Sequence, residues 1–419
     1  MNKIVINGPC RLDGEVEISG GKNAIVAILP ATVMVRGKCV IENVPHISDV
    51  ENILEILKYM GAGVRVIDAK TLEIDCTDIK QCEIPYELAR RLRASYYFLG
   101  AMLGRWHDTT VAMPGGCSIG LRPIDQHIKG FEALGAKVDF ERGNVHARCG
   151  ALVGNHVYFD VVSVGATINI MIAAATAEGM TVMENVAKEP HIVDVANFLN
   201  SMGADISGAG TDVIKVRGVP RLCGGSYAVI PDQIEAGTFM VAAAATRGDV
   251  TIKNVIPKHL ECISRKLTEM NVKVAEFDDY IRVIGSGVIE SASVKTMPYP
   301  GFPTDMHPQM AVLMSLADGT SRVTENIWES RFKYVDELRK LGAQIAVTGN
   351  VATIEGGVQL LGAPIRSCDL RAGAAMIIAG LVASGTTVIE EIEFIERGYE
   401  NIIEKFRGLG ANIKKVDIQ

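Results

Sequence analysis

Residues 114–127 read PGGCSIGLRPIDQH, and they gather most of what a reactive site needs into one short span. Cys117 stands among three glycines and two prolines, with Arg122 five residues on. Glycines permit positive φ and close backbone approach, while Pro114 and Pro123 restrict the ends, a combination found in lids that close over ligands. A nearby guanidinium can lower a thiol pKa or bind the same anion. Two readings stand side by side: a nucleophilic or acidic thiol, or a small apolar residue in a tight loop. The other eight cysteines are flanked by strand or helix residues and are expected to pack as small hydrophobes.

A second group of polar residues recurs at one kind of position. Each of six small-residue apolar runs is opened by polar or charged residues: Lys22 and Asn23, Arg93, Ser163-Val164-Gly165, Asp232 and Glu235, Asp305, and Arg371. Helix starts carry unpaired N–H groups and partial positive charge, so they suit anions. Lys22, Arg93 and Arg371 add formal charge there. Taken singly, each arginine also fits a surface ion pair, and Asp305 also fits an N-cap for the run MHPQMAVLM. If the six copies stack with pseudo-symmetry, the helix starts within each domain converge, and two such ends across a cleft would form an anion site.

The elements that would position these residues repeat about every 70 residues. MGAGV, LGAKV, MGADI, MNVKV, LGAQI and LGANI recur with Gly61, Gly135, Gly203, Asn271, Gly342 and Gly410 at one position. A fixed period means stacked copies of one structural unit. Each copy begins with a run such as GATINIMIAAATAEG, apolar nearly all round and therefore a helix buried on every side. A β-rich segment follows, then an amphipathic helix closed by the glycine as its C-cap, then alternating strands. The second copy departs from this grammar, with PGGCSIGLRPIDQH in place of a short strand-to-helix junction.

With 419 residues the chain is too long for one core, and six copies divide into two domains of three. The expected boundaries are 22–231 for the domain with the cysteine loop, and 1–21 with 232–419 for a second domain holding both chain ends. In this arrangement the first strands, MNKIVINGPCRLDGEVEISG, pair with the last copy. A net charge of -7 argues against bulk nucleic-acid binding. The nine cysteines form no CxxC pair, so neither a zinc cage nor a disulfide framework is suggested. The N-terminus lacks an apolar signal core and no apolar run reaches membrane-spanning length, so a cytoplasmic location without membrane association is expected.

These residues carry a specific likeness over the whole length. SGGKNA (19–24), RAS (93–95), PGGCSIGLRPIDQH, SVGAT (163–167), FPTDM (302–306), ESRF (329–332), DLRAG (369–373) and RGYE (397–400) together resemble the UDP-N-acetylglucosamine enolpyruvyl transferases of bacterial cell-wall synthesis. The resemblance implies two inside-out α/β domains, each of three βαβαββ units. It implies transfer of the enolpyruvyl group of phosphoenolpyruvate to the 3′-hydroxyl of the amino sugar, with release of phosphate and no metal or organic cofactor. It assigns Cys117, Asp305, Lys22 and Arg397 to catalysis, Asp305 as base and Cys117 to general-acid help and a covalent adduct. It places Lys22, Arg122, Arg371, Arg397 and Arg331 around phosphoenolpyruvate. Asn23, Arg93, Arg122, Pro123, Ser163, Val164, Gly165, Asp305 and Ile327 match positions that hold the nucleotide sugar. It also implies that the epoxide fosfomycin modifies Cys117.

The likeness has departures: Ser48 stands where many relatives carry Lys, and Glu396 where Asp is common. Two other readings remain at this level. One is transfer to shikimate 3-phosphate, against which the PGGC loop argues. The other is a non-catalytic nucleotide-sugar-binding paralogue acting through a protein partner.

Overall fold

The six apolar runs form helices in a computed structural model that describes residues 2–80, 83–113 and 123–417. We label these central helices α1 (Lys22–Ala31), α2 (Tyr97–Trp106), α3 (Val164–Ala174), α4 (Gln233–Ala245), α5 (His307–Leu316) and α6 (Leu370–Val382). From Ile234 to Ala245 every residue of α4 is buried, and α6 is buried from Arg371 to Leu381. Such all-round burial explains the absence of a polar face, since each fully buried Leu, Ile or Met side chain contributes roughly 1.5–3 kcal/mol.

The chain divides into two compact units. One comprises residues 2–19 and 231–417, the other residues 20–113 and 123–230. Each unit has its own hydrophobic core. Each also has three central helices and three four-stranded sheets. The third repeat of the second unit shows the pattern. His156–Tyr158 leads into α3, and Met180–Glu184 returns parallel to it. The amphipathic helix Pro190–Ser201 follows, then a hairpin of Asp205–Ser207 and Val213–Arg217 whose second strand pairs antiparallel with Met180–Glu184. This is one βαβαββ unit, and the architecture is a two-unit α/β fold of six such repeats.

The chain ends complete repeats that would otherwise lack a strand. The N-terminal strand Asn2–Gly8 lies between Gly385–Glu390 and Ile413–Asp417, so the sixth hairpin is built from both ends of the chain. Strand Asp13–Glu17 was expected in the same place. It instead runs parallel to Asp249–Lys253 and supplies the missing edge of the fourth repeat. Leu222–Ala228 does the same for the first, beside Val35–Glu42. The strand just before α1 and the strand just before α4 are thus exchanged: Asp13–Glu17 precedes α1 but pairs in the fourth repeat, and Leu222–Ala228 precedes α4 but pairs in the first.

All six amphipathic helices end on a left-handed residue. Gly61, Gly135, Gly203, Gly342 and Gly410 have φ between 92° and 100°, and Asn271 has φ 64°. Only Gly, and with modest cost Asn, takes this conformation freely, which explains the recurring motif. A second left-handed residue opens the junction from strand to amphipathic helix in four repeats: Asn43, Asn185, Asn254 and Glu391. The three asparagines each donate a side-chain hydrogen bond to a nearby backbone carbonyl, of Val229, Phe159 and Ile18. The second repeat instead spans residues 113–124 between Asp108–Ala112 and helix Asp125–Ala133, and residues 114–122 of it are outside the described region.

Candidate active site

Of the predicted site residues, Cys117 and Arg122 lie outside the described residues. The second unit holds Lys22, Asn23, Arg93, Pro123, Ser163, Val164 and Gly165, and the first holds Asp305, Ile327, Arg331, Arg371 and Arg397.

In the second unit, α1 starts without a side-chain cap, after Gly20 and Gly21. A Cβ on Gly20 would sit 1.8 Å from the Asn43 carbonyl oxygen, so only glycine lets the chain enter α1 here. Lys22 Nζ lies 3.2 Å from Oδ2 of the fully buried Asp49, in the first turn of helix Ser48–Tyr59. A buried carboxylate beside an ammonium holds it in one place. Asn23 is half-buried one residue further on, and Pro123 is exposed.

Ser163 caps α3 by accepting from the Ala166 N–H at 3.3 Å, and Val164 and Gly165 form the half-buried first turn. A Cβ on Gly165 would meet His127 Nε2 at 2.9 Å. That imidazole is buried, and its Nδ1 lies 3.0 Å from Asn169 Nδ2. An amide nitrogen can only donate, so His127 carries its proton on Nε2, toward Gly165. Burial pushes the imidazole pKa down to about 4, with the Arg93 cation adding to the effect. Asn169 also donates to the Tyr96 carbonyl at 2.7 Å and accepts from the Gly100 N–H at 2.8 Å. One amide in the middle of an apolar helix thus ties α3 to α2, to the turn Arg93–Tyr96 and to His127.

In the first unit, Asp305 sits in the short turn Thr304–Met306 ahead of α5, its side chain 29% exposed. Neither the turn nor α5 has a side-chain cap, so the N-cap reading of Asp305 does not hold. Its carboxylate is occupied by cations instead. Arg371 Nε donates to Oδ2 at 3.0 Å, and Arg331 Nη2 lies 3.6 Å from Oδ1. The cap of α6 is Asp369, which accepts from the N–H groups of Arg371 and Ala372 at 2.9 and 3.0 Å and lies 3.7 Å from Arg331.

Arg371 is buried, and its guanidinium lies 5.3 Å from the Tyr399 ring centroid. Burial works against its charge, but Tyr399, Asp305 and Asp232 outweigh that and hold its pKa above the ordinary arginine value. Among the described residues, Nη1 and Nη2 of this buried cation have no hydrogen-bond partner, nor does Nε of Arg331. Leaving buried charged donors unpaired costs several kcal/mol unless a ligand meets them. Arg397 is half-buried two residues before Tyr399, and Ile327 is half-buried in the loop after Thr320–Thr324.

The sequence singled out none of Asp49, Asn169, His307, Glu325 or Tyr399 for a role, although they hold the named residues in place. A polar residue inside an apolar run, as Asn169 is in GATINIMIAAA and His307 and Gln309 are in MHPQMAV, is the signal that marks them. The cysteines need a correction. Cys39 and Cys76 are buried, but Cys10, Cys149, Cys262 and Cys368 are half-buried and Cys223 is exposed. Cys223 lies on the edge strand Leu222–Ala228, in an LCGG stretch where a sheet rim leaves side chains open to solvent. Among the described residues no helix is long and apolar enough to cross a membrane, and no cluster of His, Cys, Asp and Glu could hold a metal ion.

Six βαβαββ repeats in two units are an architecture that this chain shares with solved structures of an enolpyruvyl transferase and an EPSP synthase. The fold matches the enolpyruvyl transferase NikO from Streptomyces tendae over 100% of this chain and 99% of that one, with a TM-score of 0.90 at 24% identity. It also matches an EPSP synthase from Acinetobacter baumannii over the full length of both, with a TM-score of 0.78 at 20% identity. The family model for EPSP synthase (3-phosphoshikimate 1-carboxyvinyltransferase) matches residues 6–406. The UDP-N-acetylglucosamine 1-carboxyvinyltransferase of Clostridium botulinum is 58% identical over 99% of this chain and 100% of that protein. UDP-N-acetylglucosamine 1-carboxyvinyltransferase 3 of Caldanaerobacter subterraneus is 55% identical over 99% and 100%. The chain belongs to this enolpyruvyl transferase family, on the branch of the UDP-N-acetylglucosamine 1-carboxyvinyltransferases.

Proposed function

We propose that the protein transfers the enolpyruvyl group of phosphoenolpyruvate to the 3′-hydroxyl of UDP-N-acetylglucosamine, releasing phosphate. The observation that carries this reading is the pairing of Asp305 with Arg371. A partly exposed carboxylate stands beside a buried guanidinium with two nitrogens unmet among the described residues. A carboxylate can take a proton, and an unmet guanidinium can take an anionic oxygen pair, so one place provides for both halves of the reaction. In the first step the sugar oxygen attacks C2 of phosphoenolpyruvate, its proton passes to Asp305, and C3 takes a proton from the Cys117 thiol. In the second, the C2–O bond to phosphate breaks, the leaving phosphate takes the proton held by Asp305, and C3 returns its proton to the Cys117 thiolate, which restores the double bond. Arg371, Arg331, Arg397, Lys22 and Arg122 offset the charge of phosphate and carboxylate through both steps. Cys117 serves as the acid or adduct-forming thiol of the loop. Asn23, Arg93, Pro123, Ser163, Val164, Gly165 and Ile327 hold the nucleotide sugar.

In this reading the protein works in the cytoplasm, at the first committed step of peptidoglycan precursor synthesis, with these two small molecules as its partners. Full-length identity above half to proteins named for this reaction supports it. The test is phosphate release on mixing the protein with both substrates. Release that depends on UDP-N-acetylglucosamine, is not supported by shikimate 3-phosphate, and is lost in Cys117→Ser is the expected outcome. No release under conditions where the Clostridium botulinum relative turns over would sink the proposal.

A further inference from the structure

Glu325 has no part in the steps above, yet it is the most heavily engaged side chain near Asp305. It is 3% exposed, and its carboxylate accepts from five donors. Oε1 takes the Thr296 hydroxyl at 2.9 Å and the backbone N–H groups of Ile327 and Trp328 at 2.7 and 3.0 Å. Oε2 takes the Thr304 hydroxyl and His307 Nδ1, each at 2.9 Å. Thr304 precedes Asp305 and His307 follows it two residues on, so Oε2 grips both sides of the proposed base. Oε1 grips the loop that carries Ile327.

The protonation of this group follows from its donors. Burial disfavours the charge, but the bonds from His307, Ile327 and Thr304 win, and the Glu325 pKa is held below the usual range. With a carboxylate at Nδ1, His307 must carry its proton there, which leaves Nε2 to accept from the Tyr334 hydroxyl at 2.7 Å. Tyr334 and His307 are both fully buried. Every hydrogen in the chain from Tyr334 through His307 to Glu325 therefore points toward the carboxylate.

We propose that Glu325 is a positioning residue: its one carboxylate sets the Asp305 turn and the Ile327 loop in register, and so sets the base against the sugar it deprotonates. The inference rests on the proposed function above. A displacement of about 1 Å at a reacting group can cost on the order of a hundredfold in rate, so a shared anchor for base and binding loop has a kinetic consequence. Charge-assisted bonds are the strong ones, and two oxygens shared among five donors leave little play.

Three variants test this, each assayed for kcat, for KM of UDP-N-acetylglucosamine, for calorimetric binding of that nucleotide sugar, and for thermal melting. Thr304→Val removes one bond on the Asp305 side and keeps the side-chain shape. It is expected to lower kcat about tenfold while KM and binding stay within about twofold. Glu325→Ala frees both segments, so kcat falls and both KM and the dissociation constant rise, each on the order of tenfold or more. Glu325→Gln restores most of both. Its amide nitrogen can replace Oε2, donating to Thr304 and to His307 in the other tautomer, while its oxygen keeps the three bonds of Oε1. If Glu325→Ala does not fold, Thr304→Val decides. Thr304→Val with wild-type kcat, Glu325→Ala binding the sugar as tightly as wild type, or Glu325→Gln losing as much as Glu325→Ala overturns the inference. A wild-type protein that binds the sugar without turnover overturns the proposed function instead.

Discussion

The two units share one architecture and hold their candidate site residues by opposite means. In the first, Asp305, Arg331, Asp369 and Arg371 form a mutual set of charges, with the two arginines and Asp369 buried. In the second, the corresponding region is mostly neutral: Ser163, Gly165, Asn169 and His127, with Lys22 and Asp49 as one compact ion pair. A repeat fixes where polar residues stand, at the starts of buried helices. It does not fix their charge. A cation buried at such a start requires carboxylates within reach, and Asp305 meets that need for Arg371, with Asp305 and Asp369 doing so for Arg331. Where no cation is buried, an amide such as Asn169 satisfies backbone and imidazole without the cost of desolvating an ion.

This contrast can be broken at several points. The largest effect is expected from Arg371→Lys, which keeps the charge but loses the planar fork. Turnover should fall on the order of a hundredfold, the usual loss when one donor to a developing anion is removed, and the KM for phosphoenolpyruvate should rise with it. Near-wild-type rates would show that the unmet nitrogens of the first unit have no ligand. Next comes Gly165→Ala in the second unit. The added methyl meets His127 Nε2, so the variant should lose about 2 kcal/mol in chemical denaturation, with retained stability refuting the tight contact.

The neutral network of the second unit makes a pH prediction. His127, with its pKa pushed down to about 4, stays neutral in the folded protein while the unfolded chain takes up a proton near pH 6.5. Stability from this group is therefore lost as pH falls from 6.5 toward 4, at about 1.4 kcal/mol per pH unit. His127→Gln should remove that slope. The difference between wild type and variant is the quantity to measure, because Asp194, raised to about 6 mainly by burial, acts in the opposite sense in both proteins. A difference that does not change with pH would mean that the imidazole is reached by water. The smallest effect tests the likeness of the units. Gly61→Ala and Gly342→Ala occupy the same cap in different units, at φ 94° and 98° with open space or only an ordinary van der Waals contact around them. Each should cost about 1 kcal/mol, and clearly unequal costs would break the equivalence.

Much of this was legible in the residues. The period, the all-round apolar runs and the cap glycines are local signals, because helix burial and left-handed caps depend on a few neighbouring residues. The positions of Lys22, Arg93, Asp305 and Arg371 at run starts were legible for the same reason. The strand Asp13–Glu17 was not, since nothing in its alternation says which of several open sheet edges it joins. The N-cap of α6 carries the local signal of an aspartate just before an apolar run, since Asp369 in DLRAG accepts the helix N–H groups.

The sequence alone determined the repeat, its six copies, the fold class and the polar residues that open the central helices, since each is written in short-range patterns of polarity and backbone conformation. It takes the folded chain to show that Asp305 is held by arginines and caps no helix, that Arg371 keeps two buried nitrogens unmet among the described residues, and that Glu325 joins two segments around Asp305. Those facts depend on which distant side chains share a buried volume. Desolvation and hydrogen-bond geometry settle them there, and neither is encoded in the spacing of residues along a chain.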